Sequence, residues 1–175
     1  MTVYKLGNKQ PEIAETAYVH PQASVIGDVK IGERVFIAPM ASIRGDRGRI
    51  EIGDETNVQD GAVIHSDPSF TTVIGKRCNI GHNATIHAKF VGNNAAIGMS
   101  AVLMLGSSVA EGAMIANSAL LHNKTETEPN KIYAGVPAKY MRDLDPQGEA
   151  KKAIDDYVDS YVEKTRVYRE GLEET

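Results

Sequence analysis

Aliphatic side chains recur along most of this chain with a six-residue beat. Val19, Val25, Ile31, Ile37 and Ile43 open the series; after three inserted residues it resumes at Ile52, Val58 and Ile64, and after four more at Ile74, Ile80 and Ile86. A five-residue step leads to Val91, and the beat continues through Ile97, Leu103, Val109, Ile115 and Leu121. Four residues past most of these positions the side chain is small, as at Ala23, Ala41, Ala62, Cys78, Ala84, Ala95, Ala101, Ser107, Ala113 and Ala119. A helix of about 3.6 residues per turn cannot keep such a beat on one face. Short strands joined by turns can, when the chain winds as a prism with three hexads to a turn and the aliphatics inward. On this spacing the prism body spans between five and six turns.

The beat stops after Leu121. Ile132 to Pro137 reads as an extended exit strand and turn. From about Pro146 to Gly171, Ile154, Tyr157, Val158, Tyr161, Val162, Thr165, Tyr168 and Leu172 recur at three- and four-residue spacing, which predicts an amphipathic helix packed along the prism. Asp145 and Pro146 suit its N-cap and first helical position. The expectation is a single domain over 1–175, with the β-helix over 11–140, including the strands that lead in and out, and the helix over 146–173.

Composition adds exclusions. A net charge of −4 and a pI near 5.7 argue against a nucleic-acid partner. No apolar run approaches the roughly 20 residues that span a bilayer, and the first residues lack the apolar stretch of a secretory signal. The single cysteine, Cys78, falls on a small inward position and cannot form an intrachain disulfide. A cytoplasmic protein with no membrane partner is expected.

If each insertion is a loop that leaves the phase unchanged, Ile43, Ile64 and Ile86 stack on one face, and the outward residues that follow them, Arg44, His65 and His87, form a column. On the preceding face, Asp60 and His82 stand two residues past Val58 and Ile80 and form a second column. A neighbouring subunit related by a threefold axis would bring its His82 to His65 and His87, and its Asp60 towards Arg44. Three imidazoles leave a fourth position for water, the arrangement of a catalytic zinc site. His20 and His122 lie at the two ends of the prism, away from this group.

With these residues in place the chain resembles the γ-class carbonic anhydrases and their short homologues of the ferripyochelin-binding and carnitine- and phenylacetate-operon type. The resemblance is carried by Arg44-Gly45-Asp46, Ile52-Gly53, Asn57-Val58-Gln59-Asp60-Gly61 to His65, Ile80-Gly81-His82-Asn83-Ala84 to His87, and Ile97-Gly98-Met99, and it extends over about residues 11–170. It implies a left-handed parallel β-helix, an all-β fold with a C-terminal helix, assembled as a homotrimer. It implies zinc, or iron or cobalt, held by His65 and His87 of one subunit and His82 of the next, and reversible hydration of carbon dioxide to bicarbonate. Gln59 would then hydrogen-bond the metal-bound hydroxide and Tyr161 would reach the site from the helix. Arg44 and Asp60 would pair across the interface, supported by Asp46 and Asn57.

The chain departs from that family where a proton must leave. The segment after His65, Ser66-Asp67-Pro68-Ser69-Phe70-Thr71-Thr72, holds no glutamate; Arg47 and Glu163 replace a family glutamate and asparagine; and His87-Ala88-Lys89 replaces His-Gly-Cys. Weak or buffer-dependent turnover follows, unless Asp67 or Glu163 relays the proton. Two other functions compete. A coenzyme A-dependent acyltransferase of the hexapeptide family uses the same repeat, often one catalytic histidine, and the same exit segment Gly135-Val136-Pro137-Ala138-Lys139. A non-catalytic assembly protein could retain the metal as a structural element.

Overall fold

The structure, a computed structural model, describes residues 2–173. Every aliphatic of the six-residue series is buried, and all but Val19 are at most 2% exposed. They fill the interior of a three-faced parallel β-helix. Burying an aliphatic side chain of this size contributes about 1.5–3 kcal/mol, so the repeat is also the main source of stability. The small residues between the beats line the same interior and let adjacent turns bend without crowding.

The first face stacks, in parallel, Thr2–Tyr4, Ser24–Ile31, Ser42–Ile52, Val63–His65, Thr85–Ile86, Val102–Leu103 and Leu120–Leu121. The third face runs from Tyr18–Val19 through Asn57–Val58, Asn79–Ile80 and Ala96–Ile97 to Lys131–Ala134. The second face lies between them, from Glu12–Ile13 to Ser108–Val109. The stack therefore has about seven turns, more than the beat alone predicts. The extra layers come from strands that pair without keeping the beat: Val3 stands opposite Val25, and Tyr133 opposite Ile115.

The first insertion is not a loop. Residues 42–52 form one continuous strand that wraps from the first face to the second, with an irregularity where Gly27 pairs Gly45 and Val29 pairs Ile50. The phase is nonetheless preserved, since Val25 faces Ile43 and Ile31 faces Ile52. Between the third face and the first, five successive turns bend at a residue with positive φ: Met40, Gly61, Asn83, Ser100 and Ser118. Asn tolerates this conformation better than most residues, and Asn83 turns the chain immediately after His82.

The helix spans Glu149–Gly171 and begins three residues later than the sequence suggests. Asp145 is not its cap. Its Oδ1 accepts from the backbone of Gln147 (2.9 Å) and its carbonyl accepts from Gly148 (3.0 Å), a local turn that holds residues 145–148 outside the helix. Val158, Tyr161 and Thr165 are buried, whereas Tyr157 and Leu172 of the expected stripe are exposed. The helix lies on the lower half of the third face, against Tyr18–Val19, Phe36–Ile37 and Asn57–Val58. The Phe36 ring centre lies 5.3 Å from those of Tyr18 and Tyr161, and Tyr168 packs edge-on against Tyr18 and Phe36. Arg77 bridges Glu55 on the prism to Asp159 on the helix, 2.7 Å to each. A second strand after the exit, Lys139–Asp143, pairs antiparallel with Lys131–Ala134 and was not signalled by any periodicity.

Candidate functional site

Both expected columns exist. Arg44 pairs in register with His65, and Ile64 with Ile86, so the rings of His65 and His87 lie one turn apart with centroids separated by 5.1 Å. His65 Nε2 is 2.9 Å from Asp46 Oδ1, and Asp46 also accepts from Arg44. Burial of Asp46 works to raise its pKa, but the hydrogen bonds from Arg44 and His65 outweigh it and hold the carboxyl below its ordinary value. His87 is the more enclosed imidazole. Burial first, and then the charge of His65, lower its pKa, and its Nε2 is buried with no hydrogen-bond partner.

In the second column, His82 Nδ1 lies 3.0 Å from Asp60 Oδ2. The Asp60 charge also acts on His20, whose pKa is lowered by burial and partly restored by Asp60, so His20 is nearer this column than its place in the sequence suggests. Within one chain, then, Arg44 is paired with Asp46 and Asp60 with His82. These contacts use Arg44 Nη1 and Asp60 Oδ2 and leave the other guanidinium donors and Oδ1 for the expected pairing of Arg44 with a neighbour's Asp60. Among the described residues, no three His, Cys, Asp or Glu side chains of one chain gather around a point that could hold a metal.

Gln59 is buried on the third face, where its Nε2 donates to Asn57 Oδ1 (2.9 Å) and to Asn79 Oδ1 (2.7 Å). Both amide hydrogens are thereby used. Asn57 is fully buried with its Nδ2 unpartnered. Asn79 was missed from sequence, although it stands directly above Asn57 in the register, where outward residues of the same face must meet. Tyr161 sits in the aromatic cluster on Phe36. Burial raises its pKa, with the Tyr157 hydroxyl and the Asp60 charge adding to the effect. His122 follows Leu121 on the first face, above the His65–His87 column. Cys78 is buried in the core, its thiol pushed up to about 12 by burial.

A groove of about 200 Å³ opens beside His82 between the third face and the helix, bounded by Gln59, Asn79, Gly81, Ala96, Met99, Met114, Ile154 and Tyr157 among others. Nothing in the beat announced it, because it forms only where the helix leaves the face.

The carnitine operon protein CaiE of Proteus sp. is 34% identical over 175 residues, covering 100% of this chain and 88% of that protein. This chain belongs to the CaiE family. Solved relatives agree on the fold of this CaiE-family protein, a left-handed hexapeptide-repeat β-helix. A Bacillus cereus protein provisionally termed an acetyltransferase superimposes with a TM-score of 0.93 at 31% identity, covering 98% of both chains. A hexapeptide transferase family protein from Anaplasma phagocytophilum does so with 0.88 at 32%, covering 95% of this chain and 98% of that one. No family model matches the chain.

These comparisons overturn the expectation of carbon dioxide hydration and of a γ-class carbonic anhydrase. The relatives that share the whole fold at more than 30% identity are named as transferases or carry the operon name.

Proposed function

We propose that this CaiE-family protein is an acyltransferase that moves an acyl group from a coenzyme A thioester to a small nucleophile, with His82 as general base. The observation that carries this reading is the placement of His82 against Asp60 at the edge of a groove. The names of the relatives above 30% identity support it. A carboxylate beside Nδ1 favours the tautomer protonated there and leaves the Nε2 lone pair free. Nε2 takes a proton from the O–H or N–H of the acceptor as that atom attacks the thioester carbonyl. The tetrahedral adduct collapses, the C–S bond breaks, and the imidazolium returns the proton to the departing sulfur. A homotrimer, joined through the first face and the corner histidines, would enclose this step between subunits. The test is release of free coenzyme A thiol from short acyl thioesters in the presence of amine and alcohol acceptors. Acceptor-dependent release supports the reading, and none with any acceptor overturns it.

A second reading, a metal-binding assembly protein without catalysis, is favoured by His87. Its buried, unpartnered Nε2 lies beside the His65 ring, and the two imidazoles would suit zinc, iron or cobalt once His65 Nε2 turns from Asp46. His65 and His87, with His82 of the partner subunit, would hold the ion, which would supply a fixed link between chains. Metal content and molecular mass of wild type beside His87→Ala decide between the two. Metal bound at one ion per subunit, lost with the trimer in the variant and unaccompanied by acyl transfer, would favour assembly.

A further inference from the structure

The groove beside His82 has a shape and lining that the general reading of acyl transfer does not use. At about 30 Å³ for each water-sized group, its volume of about 200 Å³ holds about six or seven non-hydrogen atoms. Among the described residues, no Asp, Glu, Lys or Arg lines it. Its floor is bare because Gly81 and Gly98 stack there: a Cβ on Gly81 would come within 2.7 Å of the Met99 nitrogen, and one on Gly98 within 2.5 Å of the Asn117 nitrogen. Met99 and Met114 form flexible, apolar walls, while Ile154 and Tyr157 of the helix form the roof. The larger groove at Arg77, Glu111 and Lys151, about 520 Å³, is ringed with charge and has no histidine.

Resting on the acyl-transfer reading, we infer that this groove binds the acyl chain of the thioester and selects uncharged, straight chains of about four to six carbons. An apolar chain in such a groove leaves water and gains in proportion to the area covered. An acetyl group leaves most of the space unfilled, and a chain of ten carbons exceeds it. His82 at the groove edge then stands where the thioester carbonyl enters.

Two measurements test this together. The first is steady-state thiol release from acetyl-, butyryl-, hexanoyl- and decanoyl-coenzyme A by wild type, Ala96→Leu and Tyr157→Ala. Wild type should favour butyryl and hexanoyl. Ala96→Leu, which fills the groove, should lower the hexanoyl-to-acetyl ratio at least tenfold, and Tyr157→Ala, which opens the roof, should raise the decanoyl share. The second is the shift of the Met99 and Met114 methyl resonances on titration with S-hexanoyl-N-acetylcysteamine, a thioester without the nucleotide. These should move in wild type and stay fixed in Ala96→Leu. Turnover with no chain-length preference and unmoved methyls overturns the groove assignment and leaves acyl transfer standing. Methyl shifts without turnover of any thioester keep the groove as a binding site and overturn acyl transfer.

Discussion

The upper turns of the prism, from Val91 to Leu121, keep a strict six-residue beat, whereas the turns from Ile43 to Ile74 carry both insertions. Both regions bury their aliphatics equally well. They differ outside. In the upper turns the corner after the third face holds Met99 and Asn117, and the position after the first face holds Met104 and, at the last turn, His122. In the turns below, the same places hold Asp60 and His82, and Arg44, His65 and His87. The helix repeats the division, packing on the lower third face and leaving the groove where it lifts from the upper one. An interior repeat requires only constant volume and phase, so residues added at a bend leave it intact and are free to carry polar groups.

The contrast can be broken from either side. The largest effect is expected at the corner: His82→Ala should lower thioester turnover about 10²–10⁴-fold while stability changes by less than about 0.5 kcal/mol. A variant that keeps more than a tenth of the wild-type rate would remove His82 from the chemistry. Leu103→Ala, in the regular turns and away from the groove, should do the reverse. Urea denaturation should show a loss of about 2–5 kcal/mol, with turnover of the folded fraction retained; a much smaller loss would mean that the upper turns relax around cavities.

A smaller effect belongs to the link between prism and helix. Hydrogen bonds from Arg34 and then Arg77 hold the Glu55 carboxyl below its ordinary value of 4.5, so its stabilisation is complete above that value and is lost as pH falls through the lower folded one. Glu55→Gln should cost no more than about 1 kcal/mol at neutral pH and flatten the acid limb of the stability curve. An unchanged acid limb would assign it to other carboxylates. The smallest effect is expected at Cys78, where burial suppresses the thiolate. Mass spectrometry after alkylation at neutral pH should find it unmodified unless the chain is first unfolded, and rapid labelling of folded protein would show that the prism opens locally.

Every aliphatic of the beat is buried because inward positions in a parallel prism depend only on local spacing, whereas Val29, Val35 and Ile50 are buried off the beat. It also placed His65 over Arg44 and Asp60 in line with His82, since register follows from the same phase. Other features were out of its reach. The leading strand Thr2–Tyr4 and the strand Lys139–Asp143 are held by pairing with distant partners rather than by a pattern of their own. The helix start moved because a turn at Asp145 competed successfully for the backbone. The acceptors of Gln59, Asn57 and Asn79, come together only because they stand opposite each other in adjacent turns.

By itself, then, the sequence determined the three-faced core, the phase across both insertions and the two polar columns, all consequences of side-chain alternation along one chain. Tertiary structure alone decided which partner each polar group takes, where the helix sits and that a groove opens beside His82. Those depend on distances between segments far apart in sequence, and a periodic pattern carries no information about them.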